Sequence, residues 1–119
     1  TRHDPAWQAA NPIKYEAIVS WWMDLLKVGR DEPNRREGAR RQLEARMHHD
    51  TYERLRQIAL PVLVCAGRFD GIAPMENSKK MVERLPNATM QVFKGGHGVL
   101  AQDPFAYRAI IAFLTNKET

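Results

Sequence analysis

Two short apolar runs constrain this chain more than any other feature. They are "PVLVCA", beginning at Pro61, and "TMQVF", ending at Phe93. Each is followed by a glycine-containing loop, "GRFDGIAP" and "KGGHGVLAQDP", and then by a helix that opens at a proline. Strand, loop, helix, strand, loop, helix is the pattern of parallel strands joined by right-handed crossovers. The first run is continuous and β-branched, as expected of a strand covered on both faces. Ligands of such sheets bind beyond the carboxyl ends of the strands. Asp70 and His97 fall in those two loops, so the pattern predicts an acid and a histidine at one edge of one sheet.

The chemistry of that pair follows from residue type. A histidine acting as a base gains from a carboxylate on its other ring nitrogen, which fixes the tautomer and stabilises the imidazolium. The glycines flanking both residues are expected to let the backbone turn sharply around them. The alternative is local: Asp70 as a cap for the helix after Pro74, and His97 as a turn residue.

The first half of the chain reads as helical. Asn11 and Pro12 form an N-cap and first-turn pair. An amphipathic helix is expected from Ile13 to Val28, with Tyr15, Ile18, Val19, Trp22, Leu25 and Leu26 on its apolar face, Trp21 at the edge of that face, and Gly29 past its end. A polar helix follows from Pro33 to about His49, its mixed charges at helical spacing. Asp50 and Glu53 have capping-box spacing for a short third helix. Trp21 and Trp22 are candidates for core packing or for the wall of an apolar substrate pocket.

Composition narrows the rest. The chain has 119 residues, enough for one small domain, and a net charge of +4 with acids and bases interleaved. No one-signed patch or known motif points to nucleic acid. No run is long enough to span a membrane. The single cysteine, Cys65, fits a reducing, cytoplasmic setting, and its place in a buried strand marks it as an inert core thiol. Adjacent histidines such as His48 and His49 diverge by about 100° on a helix and chelate poorly. Gly95-Gly96 lacks the spacing of a phosphate loop. No metal site or cofactor is expected.

From Ile58 to Leu114 the chain resembles the C-terminal end of an α/β-hydrolase. The resemblance rests on the strand that begins at a proline, "GRFDGIAP", the helix, "LPNA", the second strand, "GGHGVLAQDP" and the closing helix. It implies an α/β fold class. The chain would be a partial α/β-hydrolase fold, with two C-terminal parallel strands flanked by helices and a helical lid segment in front. On this reading residues 1–57 are the cap or lid, and 58–119 the C-terminal part of the core. The resemblance makes Asp70 the acid and His97 the base of a catalytic triad, with an ester, lactone or related acyl bond of a small molecule as substrate. Trp21 and Trp22 would line the pocket.

The nucleophile is the departure from that pattern. The family carries it in a G-x-S-x-G elbow, and no such motif occurs in this chain. Ser20 and Ser78 lie in expected helices without flanking glycines. The chain, which begins without methionine, is therefore read as a C-terminal fragment, inactive alone and either homo-oligomeric or complementary to an absent N-terminal half. Two other readings stand beside it: a non-catalytic binding or assembly module derived from a hydrolase, and an epoxide-hydrolase- or dehalogenase-like member with an aspartate nucleophile.

Overall fold

In a computed structural model, residues 3–115 are described. Their elements in order are α1 (Pro5–Ala10), α2 (Pro12–Leu25), α3 (Arg35–Met47), a 3-10 helix (Tyr52–Gln57), β1 (Val62–Gly67), α4 (Met75–Arg84), β2 (Ala88–Phe93), α5 (Val99–Gln102) and α6 (Pro104–Leu114). The fold is α/β: two parallel strands with flanking helices, preceded by a helical segment, as the resemblance implies. Contacts divide it into two units, one formed by Thr1–Gln8 with Tyr52–Thr119 and the other by Ala9–Thr51. Among the described residues no helix is long and apolar enough to cross a membrane.

The first unit carries the sheet. β1 and β2 pair in parallel from Val62 with Ala88 to Gly67 with Phe93. Paired residues of a parallel ladder share a face, so this register puts Cys65 and Phe93 on the same side. Both belong to the cluster that α5 and α6 complete with Val99, Ala106 and Ala109. Val64, Ala66 and Leu85 are buried as well. The core is small, as expected of a domain that exposes so much of its chain. β2 is less covered than β1, and Val92 is 40% exposed.

Three local features shape this unit. α4 packs against both strands and the 3-10 helix. The short helix expected after Asp50 winds as a 3-10 helix, and the Glu53 carboxylate pairs with the Arg84 guanidinium at the end of α4. That guanidinium also lies over the Tyr52 ring, 5.4 Å from its centroid. α1 and α5 were not expected from the sequence: each is too short to show a periodic apolar face.

In the second unit, α2 ends at Leu25 rather than Val28, and three hydrogen-bonded turns carry the chain to Gly29 at φ 64°. α3 starts after Asn34, itself left-handed at φ 63°. The mixed charges of α3 pair along its surface: Glu37 accepts from Arg40 and Arg41, and Arg40 also meets Glu44. Neither α2 nor α3 has a buried residue.

Candidate active site

The geometry at the strand ends begins in the ladder. Pairing continues past the last strand residues: the Arg68 N–H donates to the Phe93 carbonyl (3.0 Å) and the Phe69 N–H to that of Gly95 (2.8 Å). These bonds zip the acid loop to the histidine loop. Among the described glycines only Gly29 has positive φ. The turns around Asp70 and His97 are therefore made without left-handed glycines. At Gly67 and Gly95 what matters is the missing Cβ. One built on Gly67 would overlap the Gly96 carbonyl, and one on Gly95 would lie 2.9 Å from Oε1 of Gln102.

Asp70 divides its carboxylate between two tasks. Oδ1 accepts from the N–H groups of Ile72 (2.8 Å) and Ala73 (2.9 Å), which fixes the loop before α4. Oδ2 lies 3.0 Å from Nδ1 of His97. Asp70 thus does not cap α4, whose N-cap is Pro74 with no side-chain cap bond; one oxygen fixes the loop before the helix and the other meets the histidine. Burial alone would raise the Asp70 carboxyl; the N–H groups of Ala73 and Ile72, and then His97, outweigh it and hold the group below its ordinary value. A carboxylate only accepts hydrogen bonds, so it assigns the proton to Nδ1 and leaves Nε2 as the basic nitrogen. The Asp70 side chain is 10% exposed and that of His97 48%. Among the described residues Nε2 of His97 has no hydrogen-bond partner.

Two residues that the sequence does not tie to His97 hold the histidine loop. The Gly96 N–H donates to Gln102 Oε1 (2.5 Å). Asp103, buried, accepts from the N–H of Phe105 through Oδ1 (2.9 Å) and from that of Lys94 through Oδ2 (2.7 Å). The first of these bonds is the helix cap expected of an Asp before Pro104. The second ties the start of α6 to the end of β2. A signal for it existed: a capping carboxylate needs only one oxygen and has another to place.

The remaining candidates lie elsewhere. Trp21 and Trp22 sit on α2, in the other unit, 57% and 44% exposed and in edge contact at 5.1 Å between ring centroids. Ser20 lies in α2 and Ser78 in α4. Cys65 packs against the core, and burial pushes its thiol pKa up, the opposite of what a nucleophile needs. His48 and His49 follow the end of α3, and no group of three or more potential metal ligands occurs among the described residues.

Comparison with known proteins points the same way. The chain is 38% identical over 80 residues to the putative carbamate hydrolase RutD of Caulobacter sp. (strain K31), a match covering 66% of this chain and 30% of that protein. Over 79 residues it is 34% identical to the protein of the same name from Pseudomonas syringae pv. syringae (strain B728a), covering 65% of this chain and 30% of that one. The chain thus spans under a third of the length of these curated relatives. The family model described as "Serine hydrolase (FSH1)" matches residues 32–108, most of the chain and both strand-end loops. A match of that extent places this chain in the FSH1 serine hydrolase family.

Proposed function

We propose that this chain supplies the acid and the base of a nucleophile–His–Asp hydrolase. The observation that carries the reading is the 3.0 Å contact between Oδ2 of Asp70 and Nδ1 of His97. Nε2 of His97 takes the proton of a nucleophilic hydroxyl as its oxygen attacks the substrate carbonyl. Asp70 stabilises the imidazolium so formed. His97 then returns the proton to the leaving group, and removes another from the water that cleaves the acyl-enzyme. The family's description favours a serine over the aspartate alternative. The hydroxyl comes from a G-x-S-x-G elbow outside this sequence. The relatives' printed name makes a small carbamate, or a related ester, the first substrate class to try. The helical segment before the 3-10 helix acts as lid, no cofactor is used, and a cytoplasmic setting suits the free Cys65.

The test is complementation. The chain is combined with an N-terminal segment of a RutD relative that carries the elbow, and hydrolysis of p-nitrophenyl acetate and of an aryl carbamate is followed. The chain alone is expected to be silent and the mixture active. His97→Ala should lower kcat by a thousand-fold or more, on the order of what triad members contribute. Activity in the mixture that is indifferent to His97→Ala overturns the assignment.

A second reading is an assembly module. Exposed apolar side chains favour it, among them Ile13, Leu26 and Val28 in one unit and Tyr107, Ile111 and Leu114 in the other. It predicts a homo-oligomer in sedimentation and no His97-dependent turnover in the complementation mixture.

A further inference from the structure

A groove of about 390 Å³ lies in the sheet-bearing unit beside the strand ends, and neither Asp70 nor His97 lines it. Its volume is within the range of small-molecule sites, about 300–1,000 Å³. Trp7, Val92, Pro104 and Phe105 form apolar walls, and Arg68 and Lys94 enter from the ends of β1 and β2. His3 stacks on Trp7 with ring centroids 4.7 Å apart.

The charges in this groove are unequally matched. Asp103 is on the wall, but its two oxygens are taken by the N–H groups of Lys94 and Phe105. Asp4 is also on the wall, and its Oδ1 accepts from the Ala6 N–H at the start of α1. The side chains of Arg68 and Lys94 have no hydrogen-bond or ion-pair partner among the described residues. A third cation stands near: the Arg108 guanidinium lies 5.7 Å from the centroid of the Phe105 ring. Asp103 is thus engaged through both oxygens and Asp4 through one, while the side chains of Arg68 and Lys94 line the groove without such partners among the described residues.

We propose that this groove is a binding site for an organic anion with a flat apolar body, such as an aryl carboxylate. The fork of Arg68 suits a carboxylate bidentately, and Lys94 adds a point charge on the adjacent strand end. The aromatic and proline walls take the planar part, which a small hydrated inorganic ion cannot use. Asp70 and His97 do not line the groove, although its His3 and Arg68 also line the neighbouring pocket that Asp70 borders.

The test is direct binding to the full chain, with backbone amide shifts as the readout. Three probes are titrated: 1-naphthoate, the neutral 1-naphthalenemethanol, and inorganic phosphate. Naphthoate should saturate with Kd on the order of a millimolar, shifting the amides of Arg68, Lys94 and Phe105. It should bind about tenfold or more tighter than either other probe, a difference of about 1.4 kcal/mol. Arg68→Gln with Lys94→Gln should remove that advantage, and Arg68→Lys, which keeps the charge but loses the fork, should keep only part of it. In the unmodified chain, salt at about 0.3 M should weaken naphthoate and leave naphthalenemethanol unchanged, which reads the charge term even if the double variant does not fold. Equal affinity for the charged and neutral probes, salt-independent naphthoate binding, no saturation, or shifts centred on Asp70 and His97 would each overturn the proposal.

Discussion

Gly67 and Gly96 approach so closely that no side chain fits between them: a Cβ on Gly67 would overlap the Gly96 carbonyl oxygen and lie 2.9 Å from that of Gly95. The atoms in the way are backbone, so the histidine loop itself would have to move. Gly67→Ala is expected to cost about 1–3 kcal/mol, the range for overpacking a filled site. The check is the urea midpoint, together with the His97 ring shifts, which should move. An unchanged midpoint would show that the loops are not held at this contact.

Asp103 should be the costliest polar residue in the unit to truncate. Asp103→Ala leaves the N–H groups of Lys94 and Phe105 without their acceptor and removes the cap of α6. About 2–4 kcal/mol is expected for two charge-assisted bonds at a buried carboxylate. Thermal and urea unfolding measure it. A loss no larger than that of an exposed cap would mean that the bond to Lys94 contributes little.

Stability should fall in acid because of Asp70. Its carboxyl lies below the ordinary value of 3.8 in the folded chain. The unfolded state therefore binds a proton first as pH drops. The contribution is complete above the ordinary carboxylate value and is lost as pH falls through the lower folded value. Urea midpoints from about pH 6 to pH 2 should decline less steeply in Asp70→Asn than in the parent chain. Parallel curves would contradict the depressed Asp70.

The Arg84 latch separates two weak forces. Its partner Glu53 has a side chain 68% exposed, so that ion pair is worth only about 0–1 kcal/mol. The guanidinium over Tyr52 adds about 0.5–1 kcal/mol and keeps its apolar stem packed. Arg84→Ala should therefore destabilise more than Glu53→Gln, and a double-mutant cycle should return a small coupling. Equal losses from the two single changes would put the energy in the ion pair instead.

Cys65 should react slowly with a disulfide reagent such as DTNB at pH 8. Burial raises its thiol, and it packs against the core. Denaturant should speed the reaction several-fold or more as the thiolate becomes available. Rapid labelling of the folded chain would show the strand to be more open than described.

What the sequence made legible was what local patterns encode. The β-branched run after Pro61 and the run ending at Phe93 became β1 and β2 within a residue at each end. Asp103 before Pro104 marked the start of α6. Asp70 and His97 were placed at one sheet edge by alternation alone, and the structure brings them into contact. The overlap at Gly67 could not be read, because it needs the register between strands, which no single segment holds. The apolar face of α2 was legible as a face; periodicity does not say whether anything covers it, and Trp21, Trp22 and Leu26 are exposed. The pairing of Glu53 with Arg84 needed the packing of α4 on the 3-10 helix, which the sequence around Glu53 does not contain.

The parallel ladder works as a ruler. Val62 pairs with Ala88 and Gly67 with Phe93, and the two bonds beyond them, from Arg68 to Phe93 and from Phe69 to Gly95, lead into the loops where Asp70 meets His97. The separation of acid and base is thus gauged from strand to strand and not along the intervening chain. Residues could be added to or taken from the connection between α4 and β2 without altering that separation. One residue inserted between Gly67 and Asp70 would shift the acid against the scale and pull the pair apart.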